Sequence, residues 1–247
     1  MARVALETLR VSLPTILEEA YTGVSSRSCD DRLQSWSRRL LAVADIRLKV
    51  SGRQYLQPGE PYVVMSNHQS HYDIPVLFQA LRIPMRMVAK RELFRIPFMG
   101  RAMGVAGFVP IDRKHAAKSM EVLLGARAHL GNATSIWIAP EGTRSRSGHL
   151  GPFKRGGFYM ALKTGMRILP VTIEGTRQVL SPGSLSVRLG QQVRIAINPP
   201  IDTAIYGMEQ MNQLIHRVRT TIENEMGVPS LQITGVLQSV AEAKWAS

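Results

Sequence analysis

Residues 62–73, YVVMSNHQSHYD, begin with a short apolar run and pass directly into a cluster of polar side chains. The run Tyr62–Met65 has the length and composition of a buried strand, and the turn residues Gln-Pro-Gly at 57–59 precede it. Catalytic groups commonly collect beyond the carboxyl ends of strands in α/β sheets. This stretch therefore predicts both a strand and a candidate site immediately after it.

Similar apolar runs recur along the chain and predict further strands, at Met85–Ala89, Gly107–Ile111, Ser135–Ala139 and Ile168–Ile173. Stretches of helical period lie between them, most clearly at 116–130, and a last helix is predicted over 208–226. Alternating apolar residues around Gly190 predict a hairpin over 185–198. The alternation of strands and helices predicts an α/β fold, a single layered domain with a mixed, largely parallel sheet flanked by helices.

We expect three segments: an N-terminal amphipathic helical segment at 1–50, the layered domain at 51–228, and a C-terminal tail at 229–247. The helix predicted around Leu33–Leu48 has an apolar side that includes Trp36, with arginines flanking it. Such a helix is suited to an anionic membrane interface, and it is equally suited to packing on the protein core. The sequence leaves both interpretations open.

The composition limits the class of protein. The chain has 247 residues, a formal net charge of +13 and 45% hydrophobic residues, which is the composition of a globular protein. Its single cysteine, Cys29, excludes an intramolecular disulfide framework. No run of apolar residues is long enough to predict a transmembrane helix, and Arg10 and Glu18 interrupt the N-terminal stretch, so no signal peptide is predicted.

The positive charge is concentrated in the middle of the chain. Residues 82–115 carry eight basic side chains against two acidic ones, and residues 144–194 carry nine against one. These stretches call for an anionic partner, namely a nucleic acid, an anionic membrane surface or a phosphorylated substrate, unless they form only a solvated basic face. No nucleic-acid motif or interleaved aromatic pattern accompanies them, so we expect no nucleic acid.

The motif at 67–73 allows three interpretations. His68 and Asp73 are five residues apart, so a continuous helix would not pair them, but a loop ending in a helix at Asp73 could. A histidine held by a carboxylate is a general base. Alternatively, Asp73 only caps the next helix and His68 is a polar loop residue. In the third interpretation His68, His71 and Asp73 bind a metal, but the sequence offers no obvious further ligands.

Three more motifs follow predicted strands. The segment GFVPIDR at 107–113 places Arg113 at the end of a strand, where it would suit a phosphate or be an ordinary surface arginine. The segment PEGTRS at 140–145 offers Gly142, Thr143 and Arg144 to an anion, or it is a polar turn. Glu141 is unfavourable beside an anion, which suggests that it orients its neighbours. The segment LPVTIEG at 169–175 is typical of a structural strand.

Taken together and in this order, the four motifs resemble the four blocks of the glycerolipid acyltransferase family, closest to bacterial 1-acyl-sn-glycerol-3-phosphate acyltransferases of the PlsC type. The resemblance spans Gly52 to Gly175, and Lys90 in the segment VAKRELF is also in a familiar place. Ala139 stands where relatives often carry an aromatic residue before the proline. Many relatives begin with a membrane-spanning segment, and no such segment is predicted here.

The resemblance implies roles for individual residues. His68 would deprotonate the acceptor hydroxyl and Asp73 would orient it, while the hydroxyl attacks an acyl thioester directly. The residues implied in binding the glycerol phosphate are Lys90, Arg113, Glu141, Gly142, Thr143 and Arg144. The co-substrates would be lysophosphatidic acid and acyl-CoA or acyl-carrier protein, with no metal or bound cofactor.

Three functions are compatible with these features. The first is acylation of lysophosphatidic acid to phosphatidic acid. The second keeps the chemistry and changes the acceptor to another lysophospholipid or a lyso-ornithine lipid. The third is a non-catalytic protein that binds a membrane through its basic surface. We expect the first, with peripheral attachment to the cytoplasmic face of an anionic membrane.

Overall fold

A computed structural model describes residues 1–112, 121–126 and 133–227 of the chain. The predicted α/β fold is confirmed: seven strands form one sheet in the order β1-β7-β6-β2-β5-β3-β4. Every neighbouring pair is parallel except β6 and β7, which are antiparallel. The strands are β1 Arg47–Ser51, β2 Val63–Ser66, β3 Met85–Lys90, β4 Val109–Ile111, β5 Ser135–Ile138, β6 Ile168–Glu174 and β7 Gln192–Ile197.

Helices cover both faces of this sheet. They are α1 Ala2–Tyr21, α2 Ser26–Val43, α3 Asp73–Leu81, α4 Met99–Val105, α5 Gly156–Thr164, α6 Thr176–Val179 and α7 Met211–Glu225. Residues 121–126 are also helical and lie within the helix predicted over 116–130, whose other residues lie outside the described part. The predicted last helix begins as a 3₁₀ turn at Met208 and continues as α7.

The apolar runs form strands because both sides of the sheet are buried. Val64 of β2 belongs to a core cluster shared with α2 and α3, whereas its neighbours Val63 and Met65 belong to a second cluster shared with α5 and α7. A strand covered on both faces gains nothing from alternating polar residues, so it is apolar throughout. The five predicted strands are all observed, with boundaries within two residues of those predicted.

The hairpin predicted over 185–198 is wrong. Only Gln192–Ile197 form a strand, and residues 185–188 are irregular. Val187 packs against the core while Leu185 and Leu189 are exposed, so the alternation comes from a loop lying on the core. β7 instead pairs in parallel with β1 and antiparallel with β6.

The N-terminal segment is helical up to Val43, but the helix does not continue to Leu48 as predicted. Leu48 lies in β1, an edge strand that crosses the expected boundary at residue 50. The tail at 229–247 lies outside the described residues.

The apolar side of α2 packs on the protein core, which decides between the two interpretations of this helix. Leu33, Leu40 and Leu41 are buried in the same cluster as β2, and Trp36 packs against it. The buried guanidinium of Arg86 on β3 forms an ion pair with Asp30 in the first turns of this helix. The membrane-interface interpretation of α2 is therefore wrong.

Helix α1 differs from α2 because it buries three polar side chains and exposes four leucines. Glu7, Ser12 and Thr15 are buried, and the Glu7 carboxylate accepts a hydrogen bond from Arg39 of α2. Four leucines face outward in a stripe about 80° wide at 100° per residue. These exposed leucines are Leu6, Leu9, Leu13 and Leu17. Among the described residues, no helix combines the length and the hydropathy needed to cross a bilayer.

Candidate active site

The polar cluster after β2 lies at the middle of the carboxyl edge of the sheet. Asn67 fixes the start of this loop, because its buried side chain both donates to the Ile173 carbonyl (2.7 Å) and accepts from the Ile173 N–H (2.8 Å). This pair of bonds ties the end of β2 to β6. The loop that follows is thereby held at a constant position above the two central strands.

His68 and Asp73 are brought together as the loop interpretation predicts. His68 Nδ1 lies 2.6 Å from Asp73 Oδ2, and the Asp73 side chain is fully buried. The same oxygen accepts the backbone N–H groups of Gln69 (2.7 Å) and Ser70 (2.9 Å). Asp73 thus closes the loop before α3 as well as holding the imidazole. The N-cap position of α3 is occupied by Tyr72, and no side-chain hydrogen bond caps this helix.

This arrangement defines the chemistry that the imidazole can perform. An ionised carboxylate only accepts hydrogen bonds, so the proton between Asp73 and His68 belongs to Nδ1. Nε2 is then left with a free lone pair. The side chain of His68 is 14% exposed, and its ring meets the edge of Trp137 at a centroid distance of 5.5 Å. The ring is fixed on one side and accessible on the other, as a general base requires.

Glu141 connects the β5 loop to this histidine. Its Oε1 accepts the backbone N–H of His68 (3.0 Å), and its Oε2 accepts that of Gly151 (2.8 Å). The carboxylate is buried and both oxygens are already bonded to the protein. These contacts give Glu141 a positioning role, in line with the expectation that it orients its neighbours. They favour that role over direct contact with a substrate.

The loop at 141–154 encloses an open cavity of about 600 Å³ beside the dyad. The Ser145 N–H donates to the His68 carbonyl (2.7 Å), which places this loop directly against the segment that carries His68. Three cationic side chains line the cavity together with the hydroxyls of Thr143, Ser145 and Ser147. The three cations are Arg144, Arg146 and Lys154. Since the one carboxylate in the lining is occupied by backbone donors, the cavity suits an anion.

Gly142 lets this loop turn. Its φ is +70°, in the left-handed region, and its N–H donates to the Ala139 carbonyl (3.0 Å). A side chain there would be strained. Gly142 therefore shapes the cavity through its backbone.

The far side of the loop is anchored by α7. Arg219 donates to the Gly151 carbonyl (2.6 Å) and the Leu150 carbonyl (3.2 Å), and its guanidinium lies over the Phe153 ring at 5.5 Å. Gly151 is the residue whose N–H meets Glu141. A continuous set of contacts thus runs from α7 through Glu141 to His68.

The electrostatics of the site show the influence of these cations. Desolvation of the ring lowers the pKa of His71 below its ordinary value, and the charge of Arg144 acts in the same direction. His71 is therefore favoured in its neutral form at pH 7. The guanidinium of Arg144 therefore acts on His71, which lies in the loop between His68 and Asp73.

The other predicted binding residues are distributed differently. Lys90 ends β3 at the same edge of the sheet, but it does not line the cavity, and its Nζ lies 3.3 Å from a Glu92 carboxylate oxygen. Arg113 lies outside the described residues. His68, His71 and Asp73 do not form a metal-binding group. Among the described residues, no three His, Cys, Asp or Glu side chains are arranged so that they could hold a metal ion.

The fourth motif acts as structural support, as predicted. Glu174 at the end of β6 accepts a hydrogen bond from Arg194 Nε (2.6 Å) and from the Gly227 N–H (2.6 Å). Arg194 also binds the Glu225 carbonyl at the end of α7. These bonds fix the end of α7 to the sheet.

The matching family model is described as acyltransferase and covers residues 47–174, just over half of the chain. The chain belongs to the acyltransferase family. The model includes the dyad, Glu141 and Arg144, and the match ends at Glu174.

Individual relatives agree with this assignment. A chloroplastic 1-acyl-sn-glycerol-3-phosphate acyltransferase of Brassica napus is 35% identical over 170 residues, 69% of this chain and 48% of the relative. The enzyme of the same name from Salmonella typhimurium is 33% identical over 165 residues, 66% of each chain. The chain spans about half the length of the first of these relatives.

A solved structure supports the fold. The crystal structure of the 1-acyl-sn-glycerophosphate acyltransferase PlsC from Thermotoga maritima aligns with a TM-score of 0.71, covering 92% of this chain and 99% of that one. Sequence identity is 21%. At this identity the likeness concerns the architecture.

Two important residues were not found by sequence reasoning. Asn67 is the first residue of the motif at 67–73, but nothing in the spacing of that motif indicates that its side chain bonds to Ile173, more than a hundred residues away. Arg219 lies in a predicted helix, without any local signal that it binds the loop carrying Gly151. Both roles depend on tertiary contacts.

The substitution Glu141→Gln tests the positioning role of Glu141. One carboxylate oxygen becomes an amide nitrogen that cannot accept a backbone N–H, so one of the two charge-assisted bonds is lost. We expect the free energy of unfolding to fall by about 1.5–3 kcal/mol, measured by urea denaturation. Glu209→Gln, at an exposed glutamate, is the matched control. Equal stability of both variants would contradict the role.

Proposed function

We propose that this protein transfers a fatty acyl chain from an acyl thioester to the sn-2 hydroxyl of 1-acyl-sn-glycerol-3-phosphate, giving phosphatidic acid. The observation that carries the proposal is the His68–Asp73 dyad beside an open, cation-lined cavity. The names of the relatives that the chain matches, from Brassica napus and Salmonella typhimurium, support the choice of acceptor.

In the proposed mechanism His68 is the general base. Its Nε2 accepts the proton of the acceptor hydroxyl as the hydroxyl oxygen attacks the thioester carbonyl carbon. The new ester forms when the carbon–sulfur bond breaks, and the proton held by the imidazolium passes to the departing thiolate. Asp73, buried and bonded to Nδ1, stabilises the imidazolium during this exchange.

No protein nucleophile enters this route. The acceptor supplies its own hydroxyl, and Cys29 is buried in the core at α2, with burial raising the pKa of its thiol. A protonated and inaccessible thiol is a poor nucleophile. The proposed chemistry involves no metal or bound cofactor, and its donor is acyl-CoA or acyl-carrier protein.

The cavity at 141–154 would hold the phosphate of the acceptor. The Arg144 guanidinium can donate two parallel hydrogen bonds to phosphate oxygens, and Thr143 contributes a hydroxyl. Arg146 and Lys154 line the same cavity and add positive charge. Because Ser145 and Glu141 join this loop to His68 by hydrogen bonds, a phosphate held here would bring the glycerol hydroxyl towards the histidine.

The acceptor and product are membrane lipids, and α1 supports attachment to a membrane surface. Its exposed leucine stripe, with polar residues inside, is the pattern of a helix whose outer side meets an apolar medium. We therefore propose peripheral attachment to an anionic membrane, on the cytoplasmic face, through α1 in place of the α2 surface considered from the sequence.

The substitution His68→Ala tests the base. Removing a general base should lower the rate of thiol release from acyl-CoA by about 10²–10⁴-fold. His216→Ala, at an exposed histidine of α7, is the matched control and should leave the rate unchanged. An unchanged rate in His68→Ala would refute the proposed base.

The substitution Arg144→Ala tests the acceptor. Loss of a charge-assisted pair should raise KM for lysophosphatidic acid about tenfold or more, while KM for a lyso-ornithine lipid, which lacks a phosphate, changes little. Arg217→Ala, at an exposed arginine of α7, serves as the control. A preference for the lyso-ornithine lipid in the unsubstituted enzyme would favour the second acceptor class.

The double substitution of Leu9 and Leu13 to serine tests the attachment surface. Because both side chains are exposed, the melting temperature should hardly change, whereas binding to anionic vesicles should fall tenfold or more in a flotation assay. Leu185→Ser, at another exposed leucine, is the control. Undiminished flotation of the double variant would contradict the role of α1.

A further inference from the structure

The segment between β3 and α4 exposes two large apolar side chains. Ile96 is 42% exposed and Phe98 is 53% exposed, on either side of the exposed Pro97. The segment follows Lys90 directly through a 3₁₀ turn at Arg91–Arg95. It therefore begins at the carboxyl end of β3, at the edge of the sheet that carries His68.

The backbone presents Phe98 in an unfavourable conformation. Its φ is 59° and its ψ is −57°, and the Met99 N–H donates to the Pro97 carbonyl at 2.7 Å. This is a γ-turn of the positive-φ type, which is rare and strained for a bulky residue. A glycine would adopt it without strain. An exposed aromatic ring at such a position contributes no core packing that would offset the strain.

The neighbouring residues hold this turn in place. Gly100 is buried, and a Cβ there would lie 2.2 Å from the Phe94 carbonyl oxygen. Its N–H donates to the Ile96 carbonyl at 2.8 Å, so the start of α4 is pressed against the preceding 3₁₀ turn. The ring of Phe98 is thus projected from a close-packed base.

Cationic side chains surround the two apolar ones. Arg91, Arg95 and Arg101 are exposed, and none of them pairs with a carboxylate within the part of the chain that the structure describes. Lys90 pairs with Glu92, the one acidic residue between positions 90 and 101. A ring and an isoleucine inside a set of unpaired arginines match an anionic lipid surface, where headgroups meet the charges and acyl chains meet the ring.

Helix α4 begins directly after this turn and packs against α1, the helix that carries the exposed leucine stripe. An acidic carrier protein could meet the arginines. A bilayer, in contrast, can meet the arginines with its anionic headgroups and can also take up the exposed apolar side chains of the turn and of α1. These exposed apolar side chains favour the bilayer as the occupant.

We propose that Phe98, with Ile96, inserts into the acyl-chain region of an anionic membrane, so that the carboxyl edge of the sheet faces the bilayer. The inference rests on the proposed membrane attachment and adds a second contact point that sets the orientation. With the edge turned to the membrane, a lysolipid can reach His68 without leaving the surface.

Site-specific fluorescence tests this insertion. Phe98→Cys and Ile205→Cys are labelled with a nitrobenzoxadiazole dye; the unsubstituted chain, whose only cysteine is buried, is the labelling blank. Ile205 is 70% exposed and follows Ile201, which pairs with the first residue of β6 at the opposite end of the sheet. On vesicles with anionic lipids, the dye at 98 should shift to the blue and be quenched by acyl-chain spin labels. The dye at 205 should do neither.

A second variant separates the ring from the strain. Phe98→Gly relieves the turn, so its melting temperature should not fall, yet its partitioning to the vesicles should drop about tenfold.

Water exposure of the dye at 98 on vesicle-bound protein would overturn the proposal, as would a complete lack of vesicle binding. A spectral change only on adding acyl-carrier protein would also overturn it, in favour of protein docking. Acyl transfer to lysolipid in detergent micelles, measured separately, reports on the proposed function itself.

Discussion

The buried Asp73 carboxylate is the interaction on which the site depends. One of its oxygens accepts three hydrogen bonds, from the imidazole of His68 and from the backbone of Gln69 and Ser70. At the first residue of α3, this carboxylate has three roles. It fixes the tautomer of the base, it closes the loop after β2, and it couples both to a helix that packs in the core. The three donors replace water at Oδ2, whereas the buried Oδ1 has no hydrogen-bond partner among the described residues.

Hydrogen bonding of carboxylates to backbone N–H groups also separates the negative and positive charges of the site. Asp73 and Glu141 lie near a cavity proposed to bind phosphate, yet both Glu141 oxygens and Oδ2 of Asp73 are bonded to backbone N–H groups or to the histidine. The guanidinium of Arg144 and the ammonium of Lys154 line the cavity instead. A phosphate there would meet cations, while the carboxylates position the base. The backbone donors of Gly151 and His68 make this separation possible.

The sequence predicted the strands from β6 to β4 well and the edge formed by β1 and β7 poorly. Strands such as Val63–Ser66 are apolar because helices cover both faces, so local composition identifies them. Leu48 was assigned to a helix because it follows the period of α2, although it pairs with Val193 across a long separation in sequence. The apolar side of α2 could not be assigned to core or membrane. Helical periodicity indicates that one side of a helix is apolar, but it does not indicate whether protein or lipid covers that side. The spacing of His68 and Asp73 allowed their pairing as one of three interpretations, and the family resemblance implied their roles, whereas the bridge from Asn67 to Ile173 required the sheet order.

The most direct test of the central claim is the tautomer of His68, read from the ¹⁵N chemical shifts of its ring nitrogens by NMR at a pH where the ring is neutral. The bond to Asp73 predicts a protonated Nδ1 and an unprotonated Nε2 that is free to accept the proton of the acceptor hydroxyl. In Asp73→Asn this preference should weaken. A proton on Nε2 in the unsubstituted protein would contradict the account, because the accessible nitrogen would then be a donor instead of a base.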